Sequence, residues 1–300
     1  MFKNVLVGVD ASANGRDAIA LAKRLVHPDG KLTLAHVRDG HLHPNHAITP
    51  GMLAEEREAS VALLEDEREA SRVSAELVSV VAYTPARGLH EQAEQQGADL
   101  LVVGSCSHHG VFGRAMLGDD ARAALNGAPC AVAIAPAGFA AHAELRTIGV
   151  AYNQSSESEQ ALEQARELAE ESGASLLALE VVVIPTVLYT GLVPPLVGAG
   201  VDSMLEESLA RMKRLPGVKG RAVYGITGEE LAQFGDELDL LVVGSRGYGP
   251  VKRLVLGSTS DYLQRHARCA LLVLPRGLAV ARESRAVDGA QLDEPVGAGR

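Results

Sequence analysis

The feature that most constrains this chain is that it says the same thing twice. A-D-L-L-V-V-G-S at 98–105 returns as L-D-L-L-V-V-G-S at 238–245. A-P-C-A-V-A-I-A-P at 128–136 returns as A-R-C-A-L-L-V-L-P at 267–275. The openings also correspond, V-L-V-G-V-D-A-S at 5–12 with T-I-G-V-A-Y-N-Q-S at 147–155. A repeat this long makes each half a unit with its own strand and helix series. The expected organisation is one domain over 1–137, a linker at 137–144, a second domain over 145–277 and a disordered tail over 278–300. The tail has no strand or helix pattern.

Within each half, short apolar runs alternate with amphipathic segments. In the first half the pattern predicts strands at 4–9, 32–37, 76–82, 100–103 and 131–135. Helices are expected at 12–25, 52–72, 87–96 and 113–126, with Ser12 or Asn14 capping the first. In the second half it predicts strands at 148–152, 176–184, 220–224, 240–243 and 270–274. Helices are expected at 157–171, 202–213, 229–234 and from about 251 onward, the last because Pro250 suits a first helical turn. Strands separated by helices imply a parallel sheet with helices on both faces. The fold class is therefore α/β: two tandem doubly wound domains, each a five-stranded, mostly parallel sheet flanked by helices. Aromatic content of 3% with no Trp leaves Val, Leu, Ile and Ala to fill the cores, which suits strands buried on both faces. In such sheets ligands sit beyond the strand C-termini where strand order reverses, here between the first and fourth strands. That brings Asp10 towards Gly104 and Asn153 towards Gly244.

The stretch at 239–258, D-L-L-V-V-G-S-R-G-Y-G-P-V-K-R-L-V-L-G-S, is a buried strand followed by a glycine loop. Glycines let backbone approach an oxyanion closely, and backbone N–H groups at a helix N-terminus point at it. Ser258 adds a hydroxyl, and Arg246, Lys252 or Arg253 could supply positive charge. The spacing G-x2-G-x9-G-S, with its flanking strand and the tail S-T-S-D-Y-L-Q-R-H-A-R-C-A-L-L-V-L-P, resembles the ATP-binding motif of the universal stress protein family. The resemblance runs over nearly the whole chain to about residue 277, as two such domains in tandem. It implies an adenine nucleotide as ligand, ATP alone or with Mg, and association of domains through the final strand of each. Those strands could pair with each other as a pseudo-dimer or mediate a homodimer.

Some members of that family bind ATP and others do not, and the glycine motif separates them, so each half is read by itself. In the second half Gly244, Gly247, Gly257 and Ser258 match the phosphate-loop pattern, flanked by Val243 and Thr259. Val181 matches the Val that ends the second strand at the adenine pocket. Asn153 stands where the family has Asp; it keeps an acceptor and gains donors. In the first half Asp10 and Val37 match the adenine positions and Gly104 and Gly118 the loop. Ser107 replaces the second glycine and the spacing gains one residue, so Gly110 or Gly113 would have to supply the turn. Asp119 and Asp120 stand where Ser or Thr is usual. They would repel a triphosphate unless a divalent ion bridged them. The simpler reading is that they favour the positive end of the next helix. The second half is expected to bind ATP and the first weakly or not at all.

Net charge of −10 argues against non-specific nucleic-acid binding. No apolar run approaches the ~20 residues of a membrane helix, and the N-terminus runs straight into a strand without a signal peptide. Three Cys without paired spacing fit a reducing cytoplasm. Cys130 and Cys269 read as core hydrophobes, and a redox role for Cys106 has no support. His41, His43 and His46 share one loop, and without a second ligand cluster they read as solvent-exposed rather than as a metal site. His108 and His109 read as plain loop positions, and the acidic run at 157–171 as a solvated helix face. No catalytic motif is present, neither G-x-x-x-x-G-K-[ST] nor G-x-S-x-G nor H-E-x-x-H. The expected function is a nucleotide-dependent stress-response regulator, not an enzyme. The alternatives are a scaffold that binds no nucleotide and a slow ATPase.

Overall fold

The computed structural model describes residues 1–10, 12–39, 50–105, 108–109, 115–116, 119–183, 196–245, 253–254 and 257–276. The expected histidine loop, the tail over 278–300, Arg246, Gly247, Lys252, Cys106, Ser107, Gly110, Gly113 and Gly118 lie outside the described residues. The first half runs β1 (Phe2–Gly8), α1 (Ala13–Leu25), β2 (Val26–Asp39), α2 (Pro50–Ser71), β3 (Glu76–Ala82), α3 (Pro85–Gln96), β4 (Leu100–Gly104), β5 (His108–His109), β6 (Ala115–Met116), α4 (Asp119–Leu125) and β7 (Ala131–Ala135). A 3₁₀ turn at Phe139–His142 follows. The second half runs β8 (Thr147–Ala151), α5 (Ser156–Ser172), β9 (Ser175–Val182), α6 (Leu196–Met212), β10 (Lys219–Tyr224), α7 (Thr227–Phe234), β11 (Leu240–Gly244), α8 (Ser258–His266) and β12 (Ala270–Leu274).

Each half is a doubly wound sheet of five parallel strands, β3-β2-β1-β4-β7 and β10-β9-β8-β11-β12. The order reverses between β1 and β4 and between β8 and β11, as expected. The repeated aspartate at the start of the fourth strand helps to set that neighbourhood. Asp99 accepts from Lys3 N (2.8 Å) and Asn4 N (2.9 Å), and Asp239 from Arg146 N and Thr147 N (both 2.8 Å). Each carboxylate thereby satisfies backbone donors at the entry of the adjacent first strand.

The two sheets join into one of ten strands. β7 and β12 pair antiparallel, Val132 opposite Val273 and Ile134 opposite Leu271. Both strands are buried along their length, so pairing removes two apolar sheet edges from water. The apolar layers run across the junction. On one face Leu25, Leu64, Leu162, Leu168 and Met212 from α1, α2, α5 and α6 share a core with Ala133 and Leu272. On the other, Leu89, Leu125, Phe234 and Leu263 from α3, α4, α7 and α8 pack with Val132, Ile134 and Val273.

The linker is fastened as well. Buried Asp17 of α1 accepts from Gly138 N (2.8 Å) and Ala140 N (2.7 Å), holding the 3₁₀ turn against the first helix. Ser12 caps α1 by accepting from Asn14 N, and Ser155 caps α5 by accepting from Ser158 N.

Several boundaries differ from expectation. β2 begins at Val26 because H-P-D-G at 27–30, which reads as a turn, is a bulge between Phe2 opposite Val26 and Asn4 opposite Lys31. α6 begins at Leu196, well before residue 202, despite glycines at 198 and 200 that each cost about 1 kcal/mol against Ala in a helix. The helix expected over 113–126 starts only at Asp119, consistent with acidic residues favouring a helix N-terminus. Ahead of it His108–His109 pairs antiparallel with Ala115–Met116, a small ribbon where plain loop was expected.

The largest correction concerns 251–256. Residues 253–254 are not helical. Leu254 N donates to Ala128 O (2.9 Å) and Gly127 N donates to Leu254 O (2.8 Å). The second half's loop thus reaches across to the first half, with Leu254 fully buried. The last helix starts at Ser258. Among the described residues no helix is long and apolar enough to cross a membrane.

Candidate functional site

A cavity of about 260 Å³ opens at the C-terminal ends of β8, β9 and β11 and against the start of α8. Asn153, Val181, Val243, Gly244, Gly257, Ser258 and Thr259, drawn from four separate stretches of chain, all line it. A smaller cavity of about 160 Å³ lies at the equivalent place in the first half, and Asp10, Val37 and Gly104 line it. Gly247, Gly110 and Gly118, the remaining loop positions, lie outside the described residues.

The larger cavity mixes apolar and polar side chains. Its lining includes the apolar Leu179, Val181, Leu231 and Val243 and the polar Asn153, Ser155, Glu157, Ser158, Thr227, Ser258, Thr259 and Ser260. Such a lining can accommodate an apolar group beside the aliphatic side chains and an anion beside the hydroxyls and the α8 N-terminus. The hydroxyl ring at Ser155, Ser158 and Thr227 was not anticipated. Its only signal in the sequence is that Ser155 occupies the repeat position of Ser12, just past the first strand.

The two glycines at the ends of the loop have different reasons to be glycine. At Gly244 a Cβ would lie 2.5 Å from Glu157 O, the backbone of the first turn of α5. Gly104 is closer still to Asn14 O, the same position in α1. Both are therefore demanded by strand–helix packing, with or without a ligand. Gly257 has φ −79°, and a Cβ there would meet nothing within 4 Å among the described residues. Neither backbone strain nor crowding by the described residues calls for glycine there, and the open backbone permits close approach of another group.

Asn153 sits in a fixed network. Ser155 N (3.2 Å) and Ser155 Oγ (2.6 Å) both donate to its Oδ1, while Ser155 Oγ accepts from Ser158 N (3.2 Å). Because Ser155 N can only donate, the amide oxygen of Asn153 must face it, and the NH₂ is the end left to meet a ligand. Asp10 makes the same turn in the first half, accepting from Ser12 N (3.1 Å) and Ser12 Oγ (2.6 Å). Its second carboxylate oxygen, an acceptor, stands where Asn153 has a donor. Tyr152, which also lines the second cavity, donates to Glu159, and burial with that carboxylate pushes its hydroxyl up to about 12. Tyr152 is therefore neutral across the physiological range.

Of the three basic residues expected at the loop, Arg253 is the one within the described residues. Arg253 turns away from the cavity, pairing with Glu94 of α3 (2.5 Å) and donating to Gly127 O (3.3 Å). It belongs to the contact between halves. Cys130 and Cys269 are buried free thiols, each pushed up to about 12 by burial, as core hydrophobes should be. Among the described residues no cluster of three His, Cys, Asp or Glu could hold a metal ion.

With this geometry in hand, comparison with known proteins is informative. The model of the Universal stress protein family matches residues 1–136 and again 144–275. A universal stress protein of Mycobacterium tuberculosis strain H37Rv is 28% identical over 203 residues, 63% of this chain and 68% of that protein. The crystal structure of a universal stress protein from Archaeoglobus fulgidus superposes with a TM-score of 0.65 at 18% identity, covering 91% of this chain and 98% of that one. That of a putative universal stress protein from Pseudomonas aeruginosa gives 0.61 at 14% identity, covering 95% and 98%. At these identities the two structures speak for the fold alone.

Proposed function

The chain belongs to the universal stress protein family as a tandem of two of its domains, and from that premise we propose that it is an ATP-binding stress-response regulator whose nucleotide site is the cavity of the second half. Domain limits near 1–137 and 145–277 go with this reading. The observation that carries it is convergence: an apolar slot at Val181, a polar group at Asn153, and Gly257-Ser258-Thr259 at the N-terminus of a nine-residue helix line one cavity. The base takes the slot and the phosphates take the backbone and hydroxyl donors of the loop. The first half, with its smaller cavity and altered loop, binds weakly or not at all. The role is binding, with occupancy read by a partner. The proposed setting is the cytoplasm, supported by the unpaired, buried Cys130 and Cys269.

The first test is denaturation of purified protein and chromatography of the nucleotide released, followed by ATP titration of Gly257→Val. One ATP per chain, with affinity reduced at least tenfold in a variant whose melting temperature is unchanged, is the expected result. No released nucleotide and no ATP-induced rise in melting temperature would instead favour a scaffold that binds no nucleotide. Phosphate release above background, lost in the same variant, would mark a slow ATPase.

A further inference from the structure

Among the described residues that line the second cavity, Glu157 alone carries a formal charge at neutral pH. It is in the first turn of α5, and its backbone carbonyl is the atom against which Gly244 packs. Its side chain is only 15% exposed. A carboxylate so close to the loop repels the very group the loop is shaped to hold. Its compensation comes from elsewhere in the chain. Arg276, two residues beyond the end of β12, places Nε 3.2 Å from Glu157 Oε1, with its side chain 64% exposed. Ser156 Oγ adds a hydrogen bond to the other oxygen (3.1 Å). The pair exists only in this half. At the corresponding positions of the repeat stand Asn14, which lines the smaller cavity, and Ala137, both neutral.

We propose that Arg276 is the charge-specificity residue of the second cavity: it neutralises Glu157 and holds a phosphate of the bound nucleotide, so that the site selects nucleotide over nucleoside. The inference rests on the nucleotide reading above. A guanidinium has five N–H donors in a planar fork, enough to serve a carboxylate and a phosphate together. Lysine, a point charge on a flexible stem, would do this less well. Arg276 also connects the site to β12, the strand at the junction of the halves.

The test is calorimetric titration of the full chain with ATP and with adenosine. Arg276→Gln is expected to weaken ATP about tenfold, the scale of one charge-assisted hydrogen bond, and to leave adenosine within about twofold. Glu157→Gln added to Arg276→Gln is expected to recover part of the ATP affinity, because the carboxylate repulsion is then gone while the phosphate contact of Arg276 stays lost. Since Arg276 is largely exposed, its variant should melt with the parent. If the parent binds ATP and Arg276→Gln leaves its ATP-to-adenosine ratio unchanged, or if Glu157→Gln fails to rescue, this assignment is wrong while the nucleotide site stands. If the parent binds neither ligand, the nucleotide reading itself falls and takes this one with it.

Discussion

At the exits of β4 and β11 the two halves can be compared atom by atom. Asp10 and Asn153 receive the same two hydrogen bonds from Ser12 and Ser155 at nearly equal lengths. Gly104 and Gly244 are crowded by the same turn of α1 and α5. Around this shared frame the atoms left for a ligand differ. The first half's cavity is lined by the Asp10 carboxylate and a neutral Asn14. The second is lined by the Asn153 amide, by Glu157, whose carboxylate pairs with Arg276, and, at the start of α8, by Ser258 and Thr259. Residues that hold strand to helix persist through the repeat, while residues facing the cavity have changed. A motif glycine is therefore evidence of a ligand only where the fold does not already require it.

The sharpest way to break this comparison is to treat the crowded glycines alike. Gly104→Val and Gly244→Val should each destabilise the chain by about 3 kcal/mol or more, since the new side chain meets backbone rather than a movable side chain. Urea unfolding measures both. A folded, stable Gly244→Val protein that had merely lost ATP would mean the glycine serves the ligand and not the packing.

The next effect concerns how the halves hold each other. Each sends part of its loop across. Residues 253–254 hydrogen-bond to Gly127 and Ala128, while β6 lies against α8. Arg122 of α4 pairs with Asp261 of α8 (3.2 Å), two residues at the same position of the repeat. Yet the exchange is unequal, because the residue in the repeat position of the fully buried Leu254 is Ala115. Leu254→Ala should cost about 2–5 kcal/mol, the range for emptying a buried leucine site. Separation of the unfolding curve into two transitions would sharpen the point by showing that this residue couples the halves. A change below about 0.5 kcal/mol would place it among surface residues.

The smallest effect is chemical. Asn153→Asp recreates the first half's acceptor within an unchanged turn, so stability should hardly move. It should alter adenosine affinity by about three- to tenfold, because one hydrogen-bond donor is exchanged for an acceptor. Equal adenosine affinity in the two proteins would show that this side chain does not meet the base.

Much of this molecule was legible in its sequence. The apolar runs identified the strands, Glu76–Ala82, Ala131–Ala135 and Ala270–Leu274 among them to the residue. The repeat located the switch points, and seven of the proposed second-half residues line one cavity. Local patterns carry such information because strand burial, helix caps and glycine spacing are written in near neighbours. The helix expected from Pro250 failed for the opposite reason. A leucine that leaves its own loop to bond Gly127 and Ala128 answers to a partner more than a hundred residues away in the chain. Arg253, a reasonable phosphate ligand by sequence, is drawn to Glu94 by the same crossing.

The sequence by itself determined the two units, their parallel sheets and the place of the clefts, since periodicity dictates which side of each element is apolar. Tertiary structure alone decided that β7 meets β12 head to tail, that Asp17 binds the linker, that Arg276 pairs with Glu157 of the second cavity, and that Arg253 is drawn to Glu94 instead. Those outcomes depend on which buried edges and unpaired charges come within a few ångströms once the chain has closed, and no local pattern records that distance.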